Sequence, residues 1–423
     1  VCAYIYASAG EGESTQDLVY SGHNMITEYG AVLAESGRFE NHYTEAEIDL
    51  QRLAADPQKT STFVTDDGGQ PYHRVYFALE ETETELTRYF SRTPFIPSNK
   101  EDRDKRCDEI LTIQAMGLKK RLAHTGCRHA VIGISGGLDS TLAVLVTARA
   151  FDMLGLPREG IVCVTMPCFG TTDRTYSNAV TLTKRLGATL REIRINRAVE
   201  QHFSDIGHDI NVHDVTYENS QARERTQILM DIANQVNGMV IGTGDMSELA
   251  LGWATYNGDH MSMYAVNCSV PKTLVRHLVR YYADTTEEEE LQKVLLDVLD
   301  TPVSPDLLPP VDGVISQKTE DLVGPYELHD FYLYYMLRFG FGPAKIFRLA
   351  KKAFGADYED AVIYKWLRTF CWRFFAQHFK RSCLPDGPKV GSIAVSPRGD
   401  LRMPSDASPS VWMAELDRLK EEL

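Results

Sequence analysis

Ile110, Ile113, Leu118 and Leu122 recur at helical spacing and predict a helix. The run His129-Ala130-Val131-Ile132-Gly133-Ile134 follows and reads as a buried strand. Leu138 to Ala150 is again helical, Ile161-Val162-Cys163-Val164 is a strand, and Tyr176 to Leu186 is a helix. Leu190-Arg191-Glu192-Ile193 adds a strand. The stripe Ile228, Leu229, Ile232, Ala233 and Val236 marks a helix before the strand Met239-Val240-Ile241. Strands alternating with helices of this length predict an α/β fold built on a doubly wound parallel sheet.

The flanks differ in texture. Up to about residue 90 the pattern is strand-like, with turns at Gly10, Gly12 and Gly30 and with Phe63-Val64 and His73-Arg74-Val75-Tyr76-Phe77 as short strands. Thr93-Pro94-Phe95-Ile96-Pro97-Ser98 reads as an extended linker. Past Asp284 the chain is helical and less regular: the acidic run Glu287 to Glu290 suits a helix start. Thr301 to Gly313 is a Pro-rich loop, Phe331 to Phe339 and Ile363 to Phe379 are aromatic helices, and the segment from Arg381 reads as loop. No internal repeat is present.

Composition narrows the class. A chain of 423 residues exceeds one typical domain, and 43% hydrophobic with 24% charged residues excludes disorder as the dominant state. No apolar run approaches the roughly 18 residues needed to cross a bilayer. The N-terminus lacks a basic n-region and is no signal peptide; it reads as a strand entered midway, so a fragment or processed chain is expected. Eight scattered cysteines form no C-x-x-C, and buried thiols in a reducing cytoplasm are the plain reading. A formal charge of -15 argues against nucleic acid as partner but leaves room for a local anion pocket.

Ile134-Ser135-Gly136-Gly137-Leu138-Asp139-Ser140 lies between a strand and a helix. Paired glycines let backbone amides face a ligand, the helix adds its N-terminal amides, and Ser135 and Ser140 add hydroxyls. That is a nest for a pyrophosphate-sized anion. It lacks the Lys of the common NTPase loop, and Asp139 makes sense there as a magnesium ligand. The plainer alternative, a glycine turn with a capping residue, fits a generic Gly-Gly better than this full string.

The SGGLDS string after a strand resembles the signature of the ATP pyrophosphatase (PP-loop) superfamily. The resemblance implies cleavage of ATP between its α- and β-phosphates, and leaves open GMP synthetase, asparagine synthetase, NAD synthetase and tRNA-modifying enzymes. Further on, Gly242 and Gly244 at a strand end permit close backbone approach, and Glu248 supplies a second carboxylate beside Asp139. Ser269-Val270-Pro271-Lys272-Thr273 starts another helix. The strings GTGDMSELALGW, VNCSVPKTLVRHL, LVGPYELHDF, FKRSCLPDGPKV and SPRGDLRMPSDAS are similar to the long, glutamine-dependent NAD synthetases, through nearly the whole chain.

Carried over residue by residue, the resemblance implies that Gly133, Ile134, Ser135, Gly136, Gly137, Leu138, Asp139, Ser140 and Thr243 bind ATP. Asn219, Arg223, Glu248, Trp253 and Lys380 would contact the dinucleotide, Lys272 would neutralise charge near the phosphates, and Asp139 and Glu248 would hold Mg2+. Asp139, Glu248 and Lys272 form the implied catalytic set. Two plainer readings stay open: Lys380-Arg381 as the solvated end of an aromatic helix, and Arg223 in a surface salt bridge to Glu218 or Glu224.

Residues 1–93 resemble the C-terminal part of a nitrilase-type glutaminase, a β-rich remnant of an α/β sandwich, through AYIYASAGEGESTQDLVYSGHNMITEYGAVLAES. The family's Glu-Lys-Cys triad lies upstream of that match, Cys2 is not the nucleophile, and the chain is expected to lack its own ammonia generator. A linker at 94–104 would join this part to a synthetase domain at 105–423, an adenine nucleotide alpha hydrolase-like, Rossmann-like sheet with a helical C-terminal extension. The implied reaction amidates deamido-NAD to NAD through an adenylated carboxylate. ATP is the co-substrate, AMP and pyrophosphate leave, and ammonia comes from glutamine in the full-length form. A cytoplasmic homo-oligomer is expected, with no nucleic acid and no membrane as partner. The rivals are another PP-loop amidotransferase such as GMP synthetase, a tRNA-modifying adenylase, against which the acidic balance counts, and a passive nucleotide-binding module, against which the paired carboxylates count.

Overall fold

The computed structural model describes all residues except 1, 14–15, 41, 60–72, 74, 79, 81, 83, 98, 305–306, 309–318 and 423. They fall into two units, Val1–Ser91 with Tyr335–Ala353, and Arg92–Tyr334 with Phe354–Leu423.

In the smaller unit β1 (Ala3–Tyr6), β2 (Met25–Glu28) and β3 (Ala31–Glu35) pair antiparallel in that order. Tyr29 and Gly30, at φ 55° and 82°, make the tight turn between β2 and β3, since a two-residue hairpin matched to strand twist needs positive φ at both positions. Helix α1 (Leu50–Lys59) follows. The Glu28 side chain is fully buried; Arg88 and Arg52 pair with it at 3.0 Å and the Asp49 amide donates to it at 2.7 Å. Burial alone would raise its pKa, but those partners outweigh it and hold the carboxyl low. Of the strands expected here, Phe63-Val64 lies outside the described residues. His73 and Val75 to Phe77 form none: Val75, Tyr76 and Phe77 are 75–86% exposed, and alternation without a partner strand makes no ladder.

In the larger unit, α2 (Lys100–Thr125) begins at the Asn99 cap, whose side chain accepts from the Glu101 amide, and stops at Gly126 in the left-handed region. Next come β4 (Ala130–Gly133), α3 (Leu138–Leu154), β5 (Ile161–Thr165), α4 (Asp173–Arg185), β6 (Thr189–Glu192) and α5 (Asn196–Ile206). The chain continues with α6 (Val215–Gln235), β7 (Met239–Gly242), α7 (Met246–Leu251), β8 (Tyr264–Ala265), α8 (Lys272–Thr285) and α9 (Glu289–Asp300). β4, β5, β6 and β7 fall on the four strands expected here, the two-residue β8 is not among those expected, and the five are parallel in the order β6-β5-β4-β7-β8. Alternate side chains serve opposite cores. Ile132, Cys163 and Ile241 pack with α2, α3, α8 and α9, while Val131, Val162, Val164 and Val240 pack with α5 and α6. The sheet is therefore doubly wound.

Strand order reverses between β4 and β7, and at such a switch point the loops leave in opposite directions and open a crevice at the carboxyl ends. The loops after β4 and β7 carry SGGLDS and GTGDMSE. The rest of the chain adds α10 (Thr319–Val323), α11 (Tyr326–Phe339), α12 (Pro343–Phe354), α13 (Asp360–Ala376) and α14 (Ser410–Glu422). Helix α14 corrects the loop expected from Arg381 onward. Its Leu416 is fully buried and Trp412 stands edge-on to Phe375 of α13 at 5.1 Å, so packing supplies what its sparse apolar pattern does not announce. Among the described residues no helix is long and apolar enough to cross a membrane.

Candidate active site

The loop after β4 is closed on itself. Ser135 Oγ accepts from the Gly137 amide at 3.2 Å and meets Ser140 Oγ at 3.2 Å, and Ser140 Oγ donates to the Gly137 carbonyl. Gly136 sits at φ 83°, and a Cβ there would fall 2.0 Å from the Thr175 carbonyl oxygen, so no other residue fits. Gly137 caps α3 without a side-chain hydrogen bond, which leaves the first amides of that helix to an incoming anion. Asn267, fully buried, fastens this loop to its neighbour: its Nδ2 donates to the carbonyls of Asp139 at 2.9 Å and Thr243 at 3.0 Å. Gln114 of α2 in turn donates to Asn267 Oδ1 at 3.1 Å.

Beside the loop Asp139, Asp245 and Glu248 converge, with carboxylate oxygens within 4.8 Å of one another. The Lys272 ammonium lies among them, 2.7 Å from Asp139, 2.6 Å from Asp245 and 2.8 Å from Glu248. Burial would lower the Lys272 pKa, but the three carboxylates overcome it and hold it well above the ordinary value. Burial pushes Asp245 well above the usual carboxylate range. Glu248 keeps 22% of its side-chain surface accessible, yet its surroundings are dense enough that burial pushes it up to about 7. The Lys272 backbone is fixed from behind. Its amide donates to Ser247 Oγ at 2.8 Å, and buried Asp330 of α11 holds Ser247, the Thr273 amide and the Thr273 hydroxyl.

A cleft of about 580 Å³ opens over this group. Of the residues expected at the site, Gly133, Ile134, Ser135, Asp139, Ser140, Thr243, Asn219, Arg223, Glu248, Trp253 and Lys380 line it. Gly136, Gly137 and Leu138 shape the turn from behind, and Lys272 lies beneath the carboxylates with 4% of its side chain exposed. On the α6 wall Asn219 accepts from the Thr255 hydroxyl at 2.7 Å, and Arg223 donates to the Tyr256 carbonyl at 3.3 Å. Opposite, Lys380 donates to the carbonyls of Gly252 and Ala254 at 2.8 and 2.7 Å, and the Arg373 guanidinium lies 5.2 Å from the Trp253 ring. Buried Arg381 is no solvated helix end. It donates to the carbonyls of Leu249 and Ala250 at 3.1 and 2.8 Å.

Asp245, Asn267 and Asp330 are not among the residues expected from the sequence. Asp245 carried a signal, since it stands three positions before Glu248, but an Asp before a short helix also reads as a cap. It is one as well: its Oδ1 accepts from the Glu248 amide at 2.9 Å.

A glycine turn feeding a helix N-terminus beside clustered carboxylates, at the switch point of a doubly wound sheet, defines a nucleotide-binding α/β protein. Residues 110–340 match the family model for NAD synthase, and the chain belongs to that family. It is 43% identical over 451 residues to a glutamine-dependent NAD(+) synthetase of Mycobacterium leprae, covering 99% of this chain and 66% of the relative. A Mycobacterium bovis protein of the same name is 42% identical, with 99% and 66% covered. The chain thus spans 66% of the length of these curated relatives. The crystal structure of a glutamine-dependent NAD(+) synthetase from Cytophaga hutchinsonii, 17% identical, superposes with a TM-score of 0.61 over 98% of this chain and 65% of that one, which shows the fold.

Proposed function

We propose that this chain activates the nicotinate carboxylate of deamido-NAD with ATP and passes it to ammonia, yielding NAD, AMP and pyrophosphate. One observation carries the reading: the SGGLDS turn and the carboxylates of Asp139 and Glu248 face one cleft at the switch point. The names of the mycobacterial relatives support the substrate.

A carboxylate resists an amine because of its charge and resonance, so it must first be joined to a good leaving group. The open amides of α3 and the hydroxyls of Ser135 and Ser140 would hold the β- and γ-phosphates and receive departing pyrophosphate. Asn219, Arg223, Trp253 and Lys380 wall the part of the cleft suited to the dinucleotide. Asp139 and Glu248 are hard oxygen donors, and Asp139 Oδ1 is buried without a hydrogen-bond partner, which suits them to hold magnesium. Bound there, the ion would neutralise charge on the phosphates. The walls must exclude water, which would hydrolyse the adenylate before ammonia reaches it. Eight unpaired cysteines support a reducing, cytoplasmic setting.

The test supplies ATP, Mg2+ and ammonium with deamido-NAD or xanthosine monophosphate, and separates the products by chromatography. NAD, AMP and pyrophosphate in equal amounts are expected. ADP as product, or turnover of the xanthosine nucleotide instead, would refute the reading.

A further inference from the structure

Asp139 and Glu248 face the cleft with 21% and 22% of their side chains accessible, whereas Asp245 lies behind them with none. One ammonium serves all three. An entering divalent ion would meet the outer pair first and find Lys272 already bound to both. Two cations contacting the same oxygens repel each other strongly in a buried site. We propose that Lys272 competes with the divalent ion for Asp139 and Glu248, and that Asp245 is the counter-ion onto which Lys272 withdraws when the ion enters. This rests on the reading of Asp139 and Glu248 as magnesium ligands.

The geometry supports a short withdrawal rather than an exit. Asp330 and Ser247 pin the backbone at the start of α8, so the Lys272 stem pivots from a fixed base. The ammonium is already 2.6 Å from Asp245, whose other oxygen is held by the Glu248 amide. Asp245 therefore stays in place when the outer pair is taken. A lysine suits this exchange because its single charge rides on a flexible stem.

Two substitutions separate the roles. Lys272→Met removes the competitor and keeps most of the stem. Asp245→Asn removes the retreat and keeps the cap, since Asn caps helices as well as Asp does. Mn2+ binding without nucleotide, read from the loss of the free-ion electron paramagnetic resonance signal, should tighten at least about tenfold in Lys272→Met and weaken at least about tenfold in Asp245→Asn. The double variant should bind like Lys272→Met, because Asp245 is not itself a metal ligand. Unchanged affinity in Lys272→Met, or a double variant as weak as Asp245→Asn, would overturn the exchange while leaving the metal site standing. No Mn2+ bound by any variant, with or without ATP, would overturn both. If Lys272→Met does not fold alone, recovery of its melting transition on adding Mn2+ supports the proposal, and failure to recover overturns it.

Discussion

Replacing Asn267 by Ala tests whether the two loops of the switch point act as one device. The buried side chain donates to the carbonyls of Asp139 and Thr243 and accepts from Gln114. Each such bond contributes about 1 kcal/mol net, and a buried group left without its partner costs about 1–3 kcal/mol. With Gln114 still bonded to the Val266 carbonyl, the expected loss of stability is about 2–4 kcal/mol. The effect on turnover should be larger than stability alone explains. Asp139 follows one fastened loop and Glu248 the other, and a relative drift of about 1 Å between reacting groups costs about a hundredfold in rate. Asn267→Asp is the sharper companion, because it turns a carboxylate oxygen toward two carbonyl oxygens and should fall below Ala on both measures. Urea unfolding gives the first quantity, and kcat/KM for ATP at fixed deamido-NAD and ammonium gives the second. If the Ala variant loses stability but keeps kcat/KM within about twofold, the fastening is structural only and the reasoning fails.

Gly136→Ala should lower ATP affinity at least about tenfold by calorimetry, since it combines a left-handed backbone with a Cβ 2.0 Å from a backbone oxygen; normal affinity would mean the turn is not the phosphate nest. Asp139→Asn and Glu248→Gln should each reduce turnover about a hundredfold or more and not add, because both disable one metal site; a magnesium titration beside melting curves checks this. His329, buried and unable to hold its charge, has its pKa pushed from 6.5 down to about 4. Folding releases its proton between these values, so its contribution is full above pH 6.5 and lost toward pH 4, by up to about 3 kcal/mol. His329→Gln keeps a donor for the Val323 carbonyl and should flatten that part of the stability profile, measured by urea unfolding at pH 7 and pH 5.

Much of the fold is legible because a central parallel strand buried on both faces writes itself as an apolar run: β4, β5 and β7 stand out as AVIG, IVCVT and MVIG. The glycine turn is equally visible, since its two glycines answer a local need. The hidden parts depend on distance in the chain. Asn267 looks like any polar residue until the fold carries it to a carbonyl 128 positions away. Lys272 is visible as a charge near a helix start, but only packing places it beneath the carboxylates rather than in the cleft. Helix α14 owes its existence to the aromatic face of α13, which local spacing cannot report.

The family model ends at residue 340, yet the helix that carries Glu248 is finished by residues beyond it. Arg373, Lys380 and Arg381 donate to the carbonyls of Leu249, Ala250, Leu251, Gly252 and Ala254. Anyone trimming this chain to a minimal module would keep every glycine of the turn and every strand of the sheet by cutting after α12. The shortened protein would leave the negative end of α7 bare beside the cleft, with its cationic stopper discarded. Nor does the need stop at Arg381: the Ala265 amide of β8 donates to the Asp386 carbonyl, and Ser269, just before α8, donates to the Pro388 carbonyl and accepts from the Val390 amide, so a portable version of this site has to keep that segment too.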